Sequence, residues 1–157
     1  MVTGNAQGFT LLELVTVIIL ISILSLVLII QWPGDSVSLS AQADQLVGDI
    51  RYTQSLALTR NQRYRINFAA NRYWITNRDG TVPVPHPMNG ATTIFLASGV
   101  SLASTQTFLV FDENSAPYTN ALIPGTALAS DAVITLSAGG NVRAVRISPE
   151  TGRTIKQ

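Results

Sequence analysis

The feature that most constrains this chain is an uncharged apolar run, LVTVIILISILSLVLII at residues 14–30, with one carboxylate, Glu13, directly at its head. The only polar side chains in the run are Thr16, Ser22 and Ser25. Their hydroxyls can bond back to carbonyls of the preceding turn, so a helix tolerates them in lipid. Taken over residues 9–32, a helix here is about 36 Å long, against a hydrocarbon core of about 30 Å. That length predicts a single membrane span. Trp32 then stands at the far interface, where its ring is favoured, and Pro33-Gly34 interrupts the helix. A lone charge at bilayer depth costs about 2.5–3.5 kcal/mol, so Glu13 calls for a reason.

Three readings compete for this segment. A cleaved secretory signal needs a basic start and a small-residue cleavage site close behind the apolar core. Residues 1–8, MVTGNAQG, contain no Lys or Arg, and the Ala41-Gln42-Ala43 triplet lies well past the run. A plain uncleaved anchor accounts for the length but not for Glu13. The third reading is a resemblance. Gly8-Phe9-Thr10-Leu11-Leu12-Glu13 resembles the leader junction of type IV pilins and pseudopilins, in which a short leader ends in Gly, Phe follows, and Glu is fifth in the mature chain. Counted from Phe9, Glu13 is fifth.

The resemblance implies a set of expectations. Residues 1–8 are a leader, cut after Gly8 by a prepilin peptidase that also methylates the new amine of Phe9. Residues 9–32 are a transmembrane assembly helix, and residues 33–157 a periplasmic globular domain. Glu13 pairs with the N-terminal ammonium of a neighbouring subunit. Opposite charges in a low-dielectric bundle attract strongly only where they meet, and each left unpaired is costly, so such a pair fixes axial register. The leader departs from the family pattern in having no Lys or Arg, which leaves orientation to the terminal amine.

Behind the run, composition narrows the chemistry. Charged residues make up 12% of the chain, against about 25% in ordinary soluble domains. Net charge is +1, so no global field points to a polyanion. There is no cysteine and one histidine, His86. Disulfides, thiolate metal sites and a Cys nucleophile are excluded. No nucleophile–base pair stands out, and no cofactor or metal is expected, which argues against an enzyme.

The body reads as one helix followed by a sheet. Leu39, Ala43, Leu46, Ile50, Thr53 and Ala57 recur at helical spacing within residues 36–62, flanked by Val47 and Leu58, with Asp44, Asp49, Arg51 and Tyr52 off the stripe. The period then becomes two. Tyr64, Ile66 and Phe68 alternate with arginine and asparagine, and RYWIT after a short loop completes a hairpin. VPVPHP, with three prolines, cannot be a central strand. Residues 93–96 and 108–111 are short strand candidates, and residues 114–131 are loop-rich. Residues 132–137 and 142–148 flank AGGN as a second hairpin, and residues 153–156 make a last strand. The expected class is α+β, a long N-terminal helix packed on an antiparallel sheet over residues 63–157.

A narrower likeness lies in the body. FLVFDENSAP followed by ITLSAGGNVRAVRISPETGR resembles the GspH/FimT-type minor pilins and pseudopilins, including the MSHA-pilus minor pilin. That group has a Phe-Asp-x-x-Gly strand end and a closing Gly-Arg turn. Phe111-Asp112 and Gly152-Arg153 match, with Ser115 or Ala116 where a Gly is usual.

Few residues offer chemistry of their own. His86, between prolines, reads as an exposed loop histidine. Asp112-Glu113 read as a polar turn rather than a calcium site, although some pilin-like proteins bind that ion. Gly139-Gly140 joins two strands and reads as a hairpin turn, not a phosphate loop. A basic C-terminal Gly-Arg-x-Arg element binds DNA in FimT-type pilins. Its counterpart here is Gly152-Arg153-Thr154-Ile155-Lys156, without the second Arg. Arg143, Arg146, Arg153 and Lys156 are therefore the candidate DNA contacts. Strand alternation suggests that Ile155 points inward and that Arg146 and Lys156 share an outer face. The competing reading is a solvated rim, with pairing to Asp131 or Glu150.

Together these observations predict a structural, non-enzymatic minor pilin or pseudopilin of a type IV pilus or type II secretion pseudopilus. Its expected partners are a prepilin peptidase, sibling subunits and an assembly platform. Its expected place is the bacterial inner membrane, with the C-terminal domain in the periplasm or in a surface filament. The alternative is a DNA-binding minor pilin of an uptake pilus.

Overall fold

The computed structural model describes residues 10–30 and 35–157, with side chains at residues 10–23 and 38–157. The chain divides into two compact units, Met1–Gly34 and Asp35–Gln157. The first contains α1 (Leu11–Ile30). As the sequence suggests, hydroxyls in this apolar helix turn back on it: Thr16 Oγ1 donates to the Leu12 carbonyl, and Ser22 Oγ to that of Ile18 at 2.8 Å. Among the described residues no helix is long and apolar enough to cross a membrane. The span read at residues 9–32 draws on residues outside that set.

The second unit opens with α2 (Asp35–Arg60). Leu39, Ala43, Leu46, Ile50, Thr53 and Ala57 are all fully buried, on one face. Two neighbours depart from the expected wheel. Leu58 is exposed, and Asp49 is buried. The helix stops at Asn61, which takes the left-handed conformation (φ 50°), while the Gln62 N–H returns to the Ala57 carbonyl at 3.2 Å. This closure satisfies an orphan carbonyl of the last turn.

Nine strands follow: β1 (Tyr64–Ala69), β2 (Arg72–Asn77), β3 (Ile94–Phe95), β4 (Ser101–Ser104), β5 (Phe108–Phe111), β6 (Pro117–Tyr118), β7 (Ala132–Ala138), β8 (Asn141–Ile147) and β9 (Thr154–Lys156). All pairings are antiparallel. The class is α+β, but the strands form two sheets where one was expected. The first has the order β3-β2-β1-β5-β6 and the second β4-β7-β8-β9. The chain crosses between them near β4, where the Leu102 N–H donates to the Ala70 carbonyl at 2.7 Å.

Both sheets pack on α2, through β1 and β5 on one side and β7, β8 and β9 on the other. Between helix and sheets lies a core that includes Leu46, Ile50, Ile66, Tyr73, Leu109, Phe111, Ile134, Leu136, Val145 and Ile147. Every residue of that core lies within Asp35–Gln157. This unit therefore holds its fold with its own side chains.

Candidate functional site

The head of α1 is built by local chemistry. Thr10 Oγ1 accepts the Glu13 N–H at 3.2 Å, and the Thr10 carbonyl accepts the Leu14 N–H at 3.2 Å. Thr10 is thus the N-cap and Glu13 the third helical residue, where a carboxylate is favoured by the unpaired N–H groups of the first turn. The spacing Thr-x-x-Glu before an apolar run is a capping signature in its own right. Sequence reasoning took Thr10 only as part of the leader junction and missed this. Among the described residues the Glu13 carboxylate makes no ion pair. Leu11, Leu12, Leu14, Ile18, Leu20 and Ile23 are all more than half exposed. A helix apolar all round needs a covering of lipid or other helices. Gly8 and Phe9 lie outside the described residues.

The second unit hides a polar cluster under its proline-rich loop. Asp49 of α2 is 5% exposed and spends both carboxylate oxygens. Oδ2 accepts the Tyr73 hydroxyl at 2.6 Å, and Oδ1 lies 2.7 Å from His86 Nε2. The Met88 N–H points at His86 Nδ1 at 3.3 Å. Nδ1 is therefore the acceptor and Nε2 carries the proton toward Asp49. Burial, and then the hydrogen bond and negative charge of Asp49, hold the Tyr73 hydroxyl well above the usual tyrosine range. This corrects the reading of His86: it is 4% exposed and ties the loop to α2. Its neighbouring prolines suggested an open loop, and only the fold brings Asp49 beneath it.

The two family-like motifs of the body meet in one joint. Asp112 Oδ1 accepts the N–H groups of Asn114 and Ala116, both at 2.9 Å, and Oδ2 accepts the Tyr118 hydroxyl at 3.1 Å. That bond first, then burial, then the Asp112 charge, raises the Tyr118 hydroxyl above its ordinary value. Asp112 is thus occupied in closing a polar turn, in which Ser115 adopts φ 65°. Gly152 stands against this turn with φ 62°, and a Cβ placed on it would fall 2.4 Å from the Ser115 carbonyl oxygen and 2.5 Å from Gln54 Nε2. Gln54 Nε2 donates to the Gly152 carbonyl at 2.7 Å, and an Arg51 guanidinium nitrogen donates to that of Thr154 at 3.0 Å. The Gly-Arg turn is thereby bound to α2.

The structure does not bring the four candidate DNA contacts together. β9 pairs with β8 so that Lys156 opposes Val145 and Ile155 opposes Arg146. Paired residues share a face. Lys156 therefore lies on the helix side with Val145, whereas Arg146 lies with Ile155 on the other side, contrary to the expected sharing. Thr154, not Ile155, is the inward residue, at 3% exposure. Lys156 Nζ reaches the Asp44 carboxylate at 2.6 Å and Ser40 Oγ at 3.1 Å. Arg146 donates to Asp131 at 3.0 Å, Arg143 donates to the carbonyl of its neighbour Val142, and Arg153 sits in the turn before β9.

A different cationic array occupies the outer face of the first sheet. The Arg65 guanidinium lies over the Phe108 ring at 3.7 Å, Arg63 over Tyr118 at 4.4 Å, and Arg72 over Trp74 at 5.6 Å. Burial lowers Arg65 from its ordinary value. Among the described residues none of these three has a carboxylate at ion-pair distance.

Known proteins agree with this architecture. Residues 42–152 match the family described as type II transport protein GspH, and residues 3–29 match the prokaryotic N-terminal methylation motif. The fold is similar to that of the type IV minor pilin FimU of Pseudomonas aeruginosa, with TM-score 0.54 and 16% identity over 76% of this chain and 87% of that one. It is also similar to the minor pseudopilin EpsH of the type 2 secretion system of Vibrio cholerae, with TM-score 0.58 and 10% identity over 76% and 96%. Over 85 residues the chain is 34% identical to the competence protein ComGD of Bacillus subtilis, covering 53% of this chain and 59% of that protein's length. The chain belongs to the GspH family and is a minor pilin or pseudopilin carrying an N-terminal methylation motif.

Proposed function

We propose that the chain is a structural, non-catalytic subunit that enters the inner membrane by α1, is cut between Gly8 and Phe9, is methylated at Phe9, and assembles with sibling subunits on their shared platform. Its second unit then lies in the periplasm or on the outside. The observation that carries this reading is the head of α1, where Glu13, which makes no ion pair among the described residues, stands on a capped helix whose described apolar side chains are exposed. In an assembled bundle the amine of a neighbouring Phe9 would give Glu13 its partner, and the neighbouring helices or lipid would give α1 its cover. The test is the intact mass of the full chain from membranes, with and without a co-expressed prepilin peptidase. The expected product begins at N-methylated Phe9 and requires the peptidase. A chain still beginning at Met1, or one cut behind the apolar run, would refute the assignment.

A second reading is favoured by the outer face of the first sheet. Arg63, Arg65 and Arg72 lie over aromatic rings with no carboxylate at ion-pair distance among the described residues, an arrangement that suits phosphates and exposed bases. The similarity to a competence protein points the same way. On this reading the subunit contacts DNA through that face rather than through Arg143, Arg146, Arg153 and Lys156. Retention of double-stranded DNA by the Asp35–Gln157 unit should fall as salt rises, with a slope of about −0.9 per phosphate engaged. Retention that ignores salt, or that survives replacing the three arginines with alanine, would remove the reading.

A further inference from the structure

The three arginines on the outer face of the first sheet belong to a longer stripe. Residues paired across strands share a face, as do residues two apart along one strand. Arg72 pairs with Phe95, and Asn67 pairs with both Trp74 and Phe108. Val110 opposes both Arg65 and Tyr118. Phe95, Trp74, Phe108 and Tyr118 therefore stand with Arg72 and Arg65 on the face opposite the buried Ile66, Tyr73 and Leu109. The stripe crosses all five strands from β3 to β6, about 19 Å at the usual strand spacing.

Its cations are positioned by neutral groups. Arg65 donates to Asn67 Oδ1, and Asn67 Nδ2 donates in turn to Thr76 Oγ1 at 3.2 Å. Arg63 donates to the Leu122 carbonyl at 2.7 Å. Positive charge is thus ordered in advance, with no carboxylate at ion-pair distance among the described residues. An anion docking here is attracted at a small entropic cost.

The two ends of the stripe differ. At the β6 end the Phe108 and Tyr118 rings are covered by guanidinium groups at 3.7 and 4.4 Å, and the Asp112 carboxylate takes the Tyr118 hydroxyl. At the β3 end one arginine serves two rings. Arg72 lies 5.6 Å from the Trp74 ring centre and 6.0 Å from that of Phe95. Arg72 is exposed, Trp74 is partly exposed, and Phe95 is 64% exposed. An exposed ring beside an exposed cation offers a stacking place for a base and a contact for its phosphate.

We propose that the nucleic acid taken by this face is single-stranded DNA, with bases stacked on Phe95 and Trp74 and phosphates on Arg72 and Arg65. The proposal rests on the DNA-contact reading and adds the form of the strand. A duplex keeps its bases paired and stacked on one another, and its base edges are read only by an element that enters a groove. Against a sheet face it offers phosphates, which the arginines alone can use. A single strand leaves its bases free and engages rings and arginines together. Each base stacked on an aromatic ring is worth about five- to 150-fold in affinity.

The Asp35–Gln157 unit, which carries its whole core, suits the test because Trp74 is its sole tryptophan. The probes are an oligothymidylate of about 16 nucleotides and the duplex it forms with oligoadenylate, at one salt concentration. The single strand should bind more than about tenfold tighter than the duplex and should quench the Trp74 fluorescence. Phe95→Ala should weaken single-strand binding by about fivefold or more and leave duplex binding unchanged. Its position is exposed, so the unfolding midpoint should hold. Arg72→Ala should weaken the binding of both forms. Duplex binding as tight as single-strand binding overturns the proposal. So does single-strand binding that neither quenches Trp74 nor depends on Phe95. If arginine-dependent duplex binding persists in either case, the DNA-contact reading stands without the proposal. If neither form binds, both fall.

Discussion

Replacing Gly152 by alanine tests the joint between the two turns. Three effects act together. The left-handed conformation at φ 62° costs an L-residue about 1–2 kcal/mol. The lower entropy of the unfolded alanine chain returns about 0.4–1 kcal/mol. The new methyl would then stand 2.4 Å from the Ser115 carbonyl oxygen and 2.5 Å from Gln54 Nε2. Neither neighbour yields freely. The carbonyl belongs to a residue itself held at φ 65°, and the amide nitrogen is the donor of the 2.7 Å bond to Gly152. Losing that bond and displacing the turn adds about 1–3 kcal/mol. The sum is a loss of about 2–4 kcal/mol. In urea, with a slope of about 1–3 kcal/mol per molar, the unfolding midpoint of the Asp35–Gln157 unit should fall by about 1–2 M. Gly99 supplies the control, since it has φ +82° but nothing within 4 Å of an added Cβ. Gly99→Ala should show the conformational cost alone. If the two alanine variants were equally stable, the clash would carry no weight and the joint would not be a structural element.

Three further expectations concern the second unit. Tyr73→Phe leaves Asp49 Oδ2 short of a partner in a buried site and should cost about 1–3 kcal/mol. Because folded Tyr73 keeps its proton where the unfolded residue loses it, this contribution is fully present below about pH 10 and is lost as pH rises beyond. Wild-type stability measured against pH should therefore decline more steeply above pH 10 than that of the phenylalanine variant, and equal slopes would contradict the assignment. Ser115→Gly relieves a left-handed residue and should raise the urea midpoint by a few tenths molar, equivalent to about 0.5–1 kcal/mol. Lys156→Ala breaks a partly exposed ion pair with Asp44 and should change stability by no more than about 0.5 kcal/mol, checked by the same denaturation series.

What could be read from the sequence was what short-range periodicity encodes. The buried stripe of α2 repeats at three and four, and the β1–β2 and β7–β8 hairpins repeat at two, so each declares its inner face without its partner. β4 and β6 carry only four and two residues, too few to show a period, and they emerge because β7 and β5 offer them ladders. The same limit hid the division into two sheets, because alternation says which face a residue takes and nothing about which sheet it joins. Asp49 and His86 looked solvated because a carboxylate and a proline-flanked histidine usually are. Their burial depends on a pairing across 37 positions that no local pattern announces. At the head of α1 the reverse held. Thr10 and Glu13 are three residues apart, and their relation is local enough to be written in the chain.

The C-terminus shows how one joint decides the meaning of residues beyond it. The basic tail was legible as composition, but its facing was not, because a strand of three residues has no register of its own. Register is imposed by the Gly152 turn. The Gly152 N–H returns to the Ser148 carbonyl at 3.0 Å, Gln54 holds the Gly152 carbonyl, and Arg51 holds that of Thr154. With the chain pinned there, Thr154 must face the core, Ile155 must turn away, and Lys156 must return to the helix side, where Asp44 meets it. A shift of one residue would exchange all three. Lys156 would then leave Asp44 and join Arg146 on the outer face, the arrangement the sequence alone suggested. The residues that keep a basic outer patch from forming at this end are therefore Gln54, Arg51 and Gly152, none of which belongs to the patch.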